Sequence, residues 1–261
     1  MGVPCVPSKS KLGFGTENLR EQDLLREYLR EANKADYDFI DCAWRYGNEP
    51  YIGMALKDLK KEDMSFEFKV PFQSKVWPTK FTGGINKSIK FALAKIGAND
   101  YMDSYLLHAP ATEKDKNINA WKQLIDCRKR GQTKKIGLGD FSIEEIESLF
   151  NNTDIRPDIL QLPLNINNMH EEYYVYCRDK GIEVQSYRPF GDYEKNKSNK
   201  QLIELAQKYN TNIKNLLIAY LLNIGITVIV MPENKEEISE FPKAKLIVLE
   251  VKDLELLSNI K

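Results

Sequence analysis

Four side chains that can exchange protons lie at or just beyond the ends of short apolar runs: Asp41, Tyr46, Lys75 and His108. A tyrosine phenol, with a reference pKa of about 10, is a poor proton donor or acceptor near neutral pH unless a cation stabilises the phenolate. Lys75 could be that cation, Asp41 could hold it charged, and His108 could hydrogen-bond a substrate oxygen. Taken alone, Asp41 and Lys75 could be an ordinary ion pair, but the full set favours proton transfer to or from a carbonyl or alcohol oxygen. Such a reaction also needs a hydride or carbanion partner.

The segments that carry these residues alternate between short apolar runs and stretches of helical periodicity. Strands are predicted at residues 12–15, 38–41, 66–74, 102–108, 135–138, 159–162, 183–187 and 227–231. Helices are predicted around 25–32 and at 51–59, 85–96, 118–130, 143–150, 170–180, 201–223 (as two helices) and 253–260. Eight strand-helix units in 261 residues average about 33 residues each, close to the roughly 30 that a βαβ unit needs.

Continuous alternation of strands and helices predicts a parallel sheet, and eight units predict a closed barrel. We therefore expect an α/β fold, a single-domain (β/α)8 TIM barrel covering residues 1–261 with shortened loops. An open doubly wound sheet is the alternative architecture, but no Gly-x-Gly-x-x-Gly follows the first strand. In a barrel the carboxyl ends of the strands form the active site, so the four proton-exchanging residues should converge there.

Three motifs in the expected order resemble those of the aldo-keto reductase family. Residues 41–49 read DCAWRYGNE and resemble the family signature, with Cys42 where threonine is usual. Residues 74–77, SKVW, resemble the segment of the catalytic lysine, and residues 106–110, LLHAP, that of the histidine. The resemblance runs from LGFGT at 12–16 to the last predicted helix. It implies a barrel that binds an extended nicotinamide dinucleotide, NADH or NADPH, and reduces an aldehyde or ketone or catalyses the reverse reaction.

The resemblance also assigns roles to individual residues. Tyr46 would be the general acid or base, Lys75 and Asp41 would tune it, and His108 would orient the carbonyl. Cofactor contacts would come from eleven positions: Gly15, Thr16, Asp41, Gly139, Asp140, Gln161, Tyr187, Arg188, Met231, Asn234 and Glu237. Within that set, Tyr187 would stack on the nicotinamide ring and Gln161 would hydrogen-bond its carboxamide.

The cofactor contacts depart from the family pattern at several positions. Gly139 and Asp140 replace a serine and an asparagine that usually contact the nicotinamide. The pattern would place a lysine at Met231 and an arginine at Glu237, the cations that bind the 2′-phosphate of NADPH. A carboxylate there repels this phosphate by about 1 kcal/mol when exposed, and Lys235 could partly compensate. We therefore expect NADH to be favoured over NADPH.

The loops that usually cover cofactor and substrate are short in this sequence. Residues 191–200 are few and polar, and Lys261 follows directly on the last predicted helix. An open mouth is expected, suited to broad specificity or to a large substrate. Trp77 and Trp44 are the predicted apolar walls, with Tyr46 and His108 also contacting the substrate.

Composition excludes several other classes of function. Lys plus Arg and Asp plus Glu number 38 each, so the zero net charge disfavours nucleic acid and anionic membranes as partners. Two histidines and the absence of a Cys/His tract argue against a metal site, and no apolar run reaches the ~18 residues of a membrane span. Four dispersed cysteines, Cys5, Cys42, Cys127 and Cys177, favour a reducing, cytoplasmic location. We expect a monomer or weak oligomer acting on a small carbonyl or alcohol.

Two alternatives stay open at this point. The altered cofactor positions and short loops would suit a barrel that has become a regulatory or binding subunit. The four proton-exchanging groups argue against it, because a binding module does not need them. A non-redox enzyme could instead use the same four groups for enolisation or dehydration.

Overall fold

The computed structural model describes residues 10–97 and 100–260, and its centre is a closed barrel of eight parallel strands. Each strand pairs with the next along the chain, and the last strand pairs with the first. The strands are β1 Leu12–Gly15, β2 Phe39–Asp41, β3 Phe72–Val76, β4 Met102–Leu107, β5 Thr133–Gly139, β6 Ile159–Leu162, β7 Glu183–Ser186 and β8 Thr227–Val230. The predicted α/β class and (β/α)8 barrel are confirmed.

Helices surround this barrel in the part of the chain that the structure describes. They are α1 Gln22–Lys34, α2 Glu49–Glu62, α3 Ile85–Ile96, α4 Lys114–Lys129, α5 Ile143–Asn151, α6 Glu171–Lys180, α7 Tyr193–Asn196, α8 Lys200–Lys208, α9 Ile213–Asn223, α10 Lys235–Glu240 and α11 Val251–Ser258. Three 3₁₀ helices span Trp44–Tyr46, Pro78–Gly83 and Phe241–Leu246. The predicted division of residues 201–223 into two helices is confirmed by α8 and α9.

The helices pack on the outside of the sheet through the apolar faces that the sequence predicts. The predicted face of α1 is buried, and it comprises Leu25, Tyr28, Leu29 and Ala32. Burying one such large apolar side chain contributes about 1.5–3 kcal/mol. Helices α2 and α3 approach so closely that a Cβ added at Gly53 would lie 1.9 Å from the carbonyl oxygen of Lys95. Glycine at this position is therefore a packing requirement.

The third predicted strand is wrong in its first half. Strand β3 begins at Phe72, and residues 66–70 form no strand. Their alternating pattern has another cause, since Phe66 and Phe68 are partly buried loop side chains, and Phe68 stacks on Phe72 at 5.4 Å between ring centroids. An apolar alternation can thus come from a loop that packs against the core.

Two short helices were not expected from the sequence. Helix α7 has four residues and α10 has six, too few for a helical period to be recognised. Each is started by a polar side chain that accepts a hydrogen bond from a backbone N–H, Asp192 for α7 and Asn234 for α10.

No helix within the described ranges is both long and apolar enough to cross a bilayer. Of the cysteines, Cys42, Cys127 and Cys177 are free and buried, and Cys5 lies outside the described residues.

Candidate active site

A buried ion pair lies at the mouth of the barrel, the end formed by the carboxyl ends of the strands. Asp41 is the last residue of β2, and Lys75 is the fourth residue of β3. The Nζ atom of Lys75 lies 2.5 Å from each carboxylate oxygen of Asp41, and the two residues are 0% and 2% exposed. Burial alone would lower the pKa of Lys75, but Asp41 and Tyr46 raise it above its usual value. The ammonium is therefore charged at neutral pH.

Tyr46 is placed beside this pair by the 3₁₀ helix Trp44–Tyr46, which directly follows β2. The Lys75 ammonium lies 5.1 Å from the centroid of the Tyr46 ring, and the ring is 9% exposed. Burial raises the pKa of the Tyr46 phenol, Lys75 lowers it, and Asp41 raises it again, for a net rise. Lys75 lowers this pKa in the expected direction, but desolvation is the larger effect and the net shift is upward. The phenol is protonated and can act as a donor.

His108 directly follows β4 and completes the cluster. Its ring lies 5.7 Å from that of Tyr46, at an interplanar angle of 89°. Its Nδ1 atom is buried and has no hydrogen-bond partner among the described residues. Burial, together with Lys75 and Arg45, lowers the pKa of His108 to about 3, so the imidazole is neutral. The structure thus brings all four sequence-predicted residues together, while their roles in a reaction stay predictions.

Asp41 is bonded to a layer of polar side chains, of which the sequence reasoning named Gln161 and missed Gln73, Ser104 and Gln185. Gln73 donates through Nε2 to Asp41 Oδ1 at 2.7 Å and to Gln185 Oε1 at 2.9 Å. Ser104 donates to Gln73 Oε1 at 2.7 Å, and Gln161 donates to Gln185 at 3.1 Å and to Asp41 at 3.4 Å. All four residues are buried. Strands β2, β3, β4, β6 and β7 thereby share one hydrogen-bond network.

The sequence does contain a signal for this layer. Gln73 lies two residues before Lys75 in the same strand, so both side chains share the inner face of the barrel. Gln161 and Gln185 are direct partners in the register of β6 and β7. A glutamine inside a four-residue apolar strand is uncommon enough to mark an interior polar position.

The network extends to the opposite end of the barrel. Gln185 donates to Glu183 at 3.2 Å, and Glu183 also accepts from Lys135 at 2.8 Å and from Thr227 at 3.1 Å. Ionic and amide groups therefore connect the mouth with the amino ends of the strands.

Tyr187, predicted to stack on a nicotinamide, follows β7 at the mouth and is half-buried. Its hydroxyl donates to Asp140 Oδ1 at 3.1 Å. Burial and the adjacent Asp140 raise the pKa of Tyr187 to about 12. Asp140 follows β5 with a left-handed backbone (φ 57°), and Arg188 beside it is exposed. Burial raises the pKa of Asp140, although the Tyr187 hydroxyl, Lys75 and Arg188 oppose the shift.

The absence of a serine at Gly139 has a steric explanation. A Cβ at this position would lie 2.5 Å from the backbone oxygen of His108. No side chain fits there unless β4 and β5 move apart.

Near β1, the predicted cofactor residues are already engaged in the fold. The buried Thr16 hydroxyl donates to the backbone oxygen of Asp41 at 3.0 Å. The neighbouring Gly15 has little free space, because a Cβ there would lie 3.2 Å from Ile229 and from the backbone oxygen of Val230.

The segment after β8 contains the positions expected to contact the adenosine half. Asn234 accepts from the backbone N–H of Glu237 at 3.0 Å and thereby caps α10, while Met231 is partly buried. Glu237 is paired with Lys214 of α9 at 2.6 Å. Lys235, expected to compensate in part, pairs with Glu27 at the surface.

Lys214 is a residue of this region that the sequence reasoning missed. Its ammonium lies 5.2 Å from the Tyr193 ring centroid and 5.5 Å from that of Phe190. Since it comes from α9, distant in the chain from Glu237, the pairing is visible only in three dimensions.

The predicted substrate walls, Trp44 and Trp77, are both half-buried. The Trp77 ring lies 5.1 Å from the His108 ring, at an interplanar angle of 90°. Each indole also carries a cation on its face, Lys80 on Trp44 at 4.5 Å and Arg45 on Trp77 at 4.1 Å.

A closed parallel barrel with acid-base groups at the carboxyl ends of its strands is the architecture of (β/α)8-barrel enzymes. The chain belongs to the aldo/keto reductase family, since the model of that family matches residues 11–261. The resemblance to this family, deduced from three motifs, is confirmed. The family is one of oxidoreductases, as the sequence predicted.

Known members of the family match the chain along most of its length. The chain is 28% identical over 249 residues to the aldo-keto reductase AKR2E4 of Bombyx mori, covering 88% of this chain and 80% of that protein. It is 28% identical over 284 residues to the aldehyde reductase YPR1 of Saccharomyces cerevisiae, covering 95% of this chain and 86% of that protein.

Solved structures show the same fold. The Bombyx mori AKR2E4 in complex with NADP has a TM-score of 0.83 at 26% identity, covering 97% of this chain and 88% of that one. An aldo/keto reductase from Brucella melitensis has a TM-score of 0.84 at 24% identity, and the match covers 95% of this chain and 93% of that one.

Proposed function

We propose that this protein is a nicotinamide-dependent carbonyl reductase that converts an aldehyde or ketone to an alcohol, or catalyses the reverse oxidation. Membership of the aldo/keto reductase family supports the proposal. The observation that carries it is the cluster at the mouth, where a protonated phenol and a neutral imidazole lie beside a buried, paired ammonium. A reduced nicotinamide would supply the hydride, which is the partner that these side chains lack.

Each residue of the cluster has a distinct task in this proposal. His108, a neutral imidazole beside Tyr46, holds the carbonyl oxygen by a hydrogen bond. Tyr46 donates its phenolic proton to that oxygen as the alcohol forms. Lys75 stabilises the phenolate that results, and Asp41 keeps Lys75 charged and oriented.

The ring end of the mouth fits a nicotinamide. Tyr187 offers a half-buried aromatic face, and the carboxylate of Asp140 can accept from the carboxamide NH₂. Gln161 lies at the same end, but its amide already donates to Gln185 and Asp41, which leaves its oxygen for the carboxamide.

The adenosine end carries more acid than base. Glu237 is neutralised by Lys214, and Glu233 lies 3.3 Å from the same ammonium, so one lysine faces two carboxylates. This local excess of negative charge disfavours a 2′-phosphate, and we propose that NADH binds more tightly than NADPH. The relative from Bombyx mori is solved with NADP, so the proposal concerns this chain alone.

Turnover is the direct test of the proposed function. Purified protein is mixed with NADH or NADPH and a panel of aldehydes and ketones, and dinucleotide oxidation is followed at 340 nm. Carbonyl-dependent oxidation is expected with at least one dinucleotide. If neither dinucleotide is oxidised with any carbonyl, or the reverse with any alcohol, the proposal fails.

The second candidate is a binding subunit of the same fold. It is favoured because Gln161 and Glu237, two positions assigned to the cofactor, are already bonded to other side chains of the protein. Tight dinucleotide binding without turnover of any carbonyl or alcohol would support it.

A further inference from the structure

We infer that the mouth contains a subsite for an anionic group of the substrate, formed by Arg45 held on the face of Trp77. The inference rests on the proposed function and names its substrate class: aldehydes or ketones that carry a carboxylate or phosphate a few bonds from the carbonyl.

The position of Arg45 relative to the acid-base cluster is the first argument. Its guanidinium carbon lies 4.1 Å from the centroid of the Trp77 ring, and the Trp77 ring lies 5.1 Å from the His108 ring. The guanidinium and the imidazole therefore both lie against the Trp77 ring. Arg45 is also close enough to His108 to lower the pKa of its imidazole. A short molecule with its carbonyl at His108 can reach Arg45 with its other end.

The second argument is that Arg45 is available. It is exposed and has no ion-pair or hydrogen-bond partner within residues 10–97 and 100–260. Other arginines of the chain are paired, for example Arg128 with Asp158 at 3.0 Å and Arg156 with Glu147 at 3.0 Å. Stacking on an indole uses the face of the guanidinium and leaves its N–H groups in the plane, where they can bind a carboxylate or phosphate in bidentate fashion.

The third argument is the distribution of charge around the mouth. On the side of Arg45, Lys80 stacks on Trp44 at 4.5 Å, and Arg20 donates to the backbone oxygen of Tyr46 at 3.1 Å. Of the acidic groups, Glu17 lies in the loop after β1 that also carries Arg20, and it acts on Tyr46, while Asp140 follows β5. Asp140 accepts from the Tyr187 hydroxyl on the side assigned to the nicotinamide. Around the two tryptophans, Arg45, Lys80 and Arg20 outnumber Glu17, so an anionic substrate group is attracted to this side of the mouth.

The test compares substrates that differ in one charge. Benzaldehyde is paired with 4-carboxybenzaldehyde, and butanal with 4-oxobutanoate. Wild-type protein is expected to have a higher kcat/KM for the charged member of each pair, with a difference that shrinks as salt rises. The Arg45→Gln variant should raise KM for the charged members roughly ten- to a hundredfold and leave the neutral members within about twofold. The Arg45→Lys variant should raise KM for the charged members by less, since it keeps the positive charge but not the paired N–H donors of the guanidinium.

The matched control is Arg130→Gln, which removes the same charge at the opposite end of the barrel, after α4. The kinetic constants of this variant should match those of wild type for both pairs of substrates. An equal loss for charged and neutral substrates in Arg45→Gln would overturn the inference, and so would a weakened dinucleotide affinity that accounts for the loss. Thermal unfolding of each variant establishes that the fold is intact.

A binding measurement separates this inference from the proposed function. Benzoate and succinate are titrated against tryptophan fluorescence, to which Trp44 and Trp77 contribute at the mouth. Binding that is lost in Arg45→Gln and kept in Arg130→Gln supports the subsite even if no carbonyl is turned over. Wild-type turnover combined with identical anion binding in both variants would overturn the subsite and leave the proposed function standing.

Discussion

At the scale of single residues, burial determines the protonation of the groups at the mouth. Tyr46 and His108 are both shifted toward their neutral forms, the first upward in pKa and the second downward. Lys75 is shifted toward its charged form, because Asp41 and Tyr46 together outweigh desolvation. The resting site thus contains one fixed ion pair and two neutral groups that can exchange hydrogen bonds with a carbonyl.

Replacement of Tyr46 tests the assigned proton donor. The Tyr46→Phe variant keeps the aromatic volume and removes the hydroxyl, so turnover should fall by at least about 10²-fold while dinucleotide affinity changes little. Steady-state kinetics and a fluorescence titration measure the two effects. Tyr51→Phe, at an exposed position of α2, is the control and should behave as wild type. Unchanged turnover in Tyr46→Phe would remove Tyr46 from this role.

The neutral imidazole of His108 predicts a pH dependence of stability. Between pH 6.5 and about 3 the unfolded chain binds a proton at this histidine that the folded chain does not, so the free energy of unfolding decreases as pH falls. The contribution is at most about 1.4 kcal/mol per pH unit within this window. Urea unfolding of wild type and His108→Gln at pH 7 and pH 4.5 measures it. The wild type should lose more stability on acidification, and equal losses would contradict the prediction.

At the scale of elements, the strands carry the site on their inner faces. Strand β3 supplies both Lys75 and Gln73, and the closure of the barrel brings β6 and β7 opposite them. The Asp41 carboxylate therefore receives hydrogen bonds from two strands, β3 and β6, which restricts it to an orientation facing Lys75. The interior amides position the ion pair that the cluster depends on.

Replacement of Gln73 tests this network. Gln73→Met preserves volume but removes a donor to Asp41 and the acceptor of Ser104 and Gln185, so we expect a loss of about 2–4 kcal/mol in the free energy of unfolding. Urea denaturation provides the measurement. Gln207→Met, on the exposed face of α8, is the matched control and should stay within about 0.5 kcal/mol. If Gln73→Met also changes the free energy of unfolding by no more than about 0.5 kcal/mol, the network does not stabilise the fold as proposed.

Element prediction succeeded where a periodic pattern is long and failed where it is short or has another origin. The buried face of α1 follows from its spacing alone. Residues 66–70 show a strand-like alternation that a half-buried loop also produces, and α7 is too short to have a period. Capping by Asp192 and Asn234 is local, but it is recognised only when the following turn is known to be helical.

At the scale of the whole molecule, the proposed cofactor site spans the mouth from Tyr187 after β7 to the segment after β8. Its two ends differ in charge. The ring end offers an aromatic face with a single acceptor, while the adenosine end has Glu233 and Glu237 around one lysine. Because of this difference in charge, we expect the site to bind NADH, which lacks the 2′-phosphate, more tightly than NADPH.

Cofactor titrations test this asymmetry. Wild-type protein should bind NADH more tightly than NADPH, and Glu237→Gln should move the NADPH-to-NADH affinity ratio toward NADPH by roughly fivefold, because it removes a carboxylate and releases Lys214. Fluorescence titration of both dinucleotides gives the ratio. Glu236→Gln, at an exposed neighbouring position, should shift it less. Sub-micromolar NADPH binding in the absence of NADH binding would show the proposed preference to be wrong.

The order of strands and helices, the identity of the four clustered residues and the family are determined by the sequence, because periodicity and motif spacing depend on neighbours along the chain. The direction of the Tyr46 pKa shift, the bond between Gln73 and Gln185, and the pairing of Glu237 with Lys214 were decided by the tertiary structure. Each of these depends on desolvation or on contacts between residues far apart in the chain, which exist only once the barrel has closed.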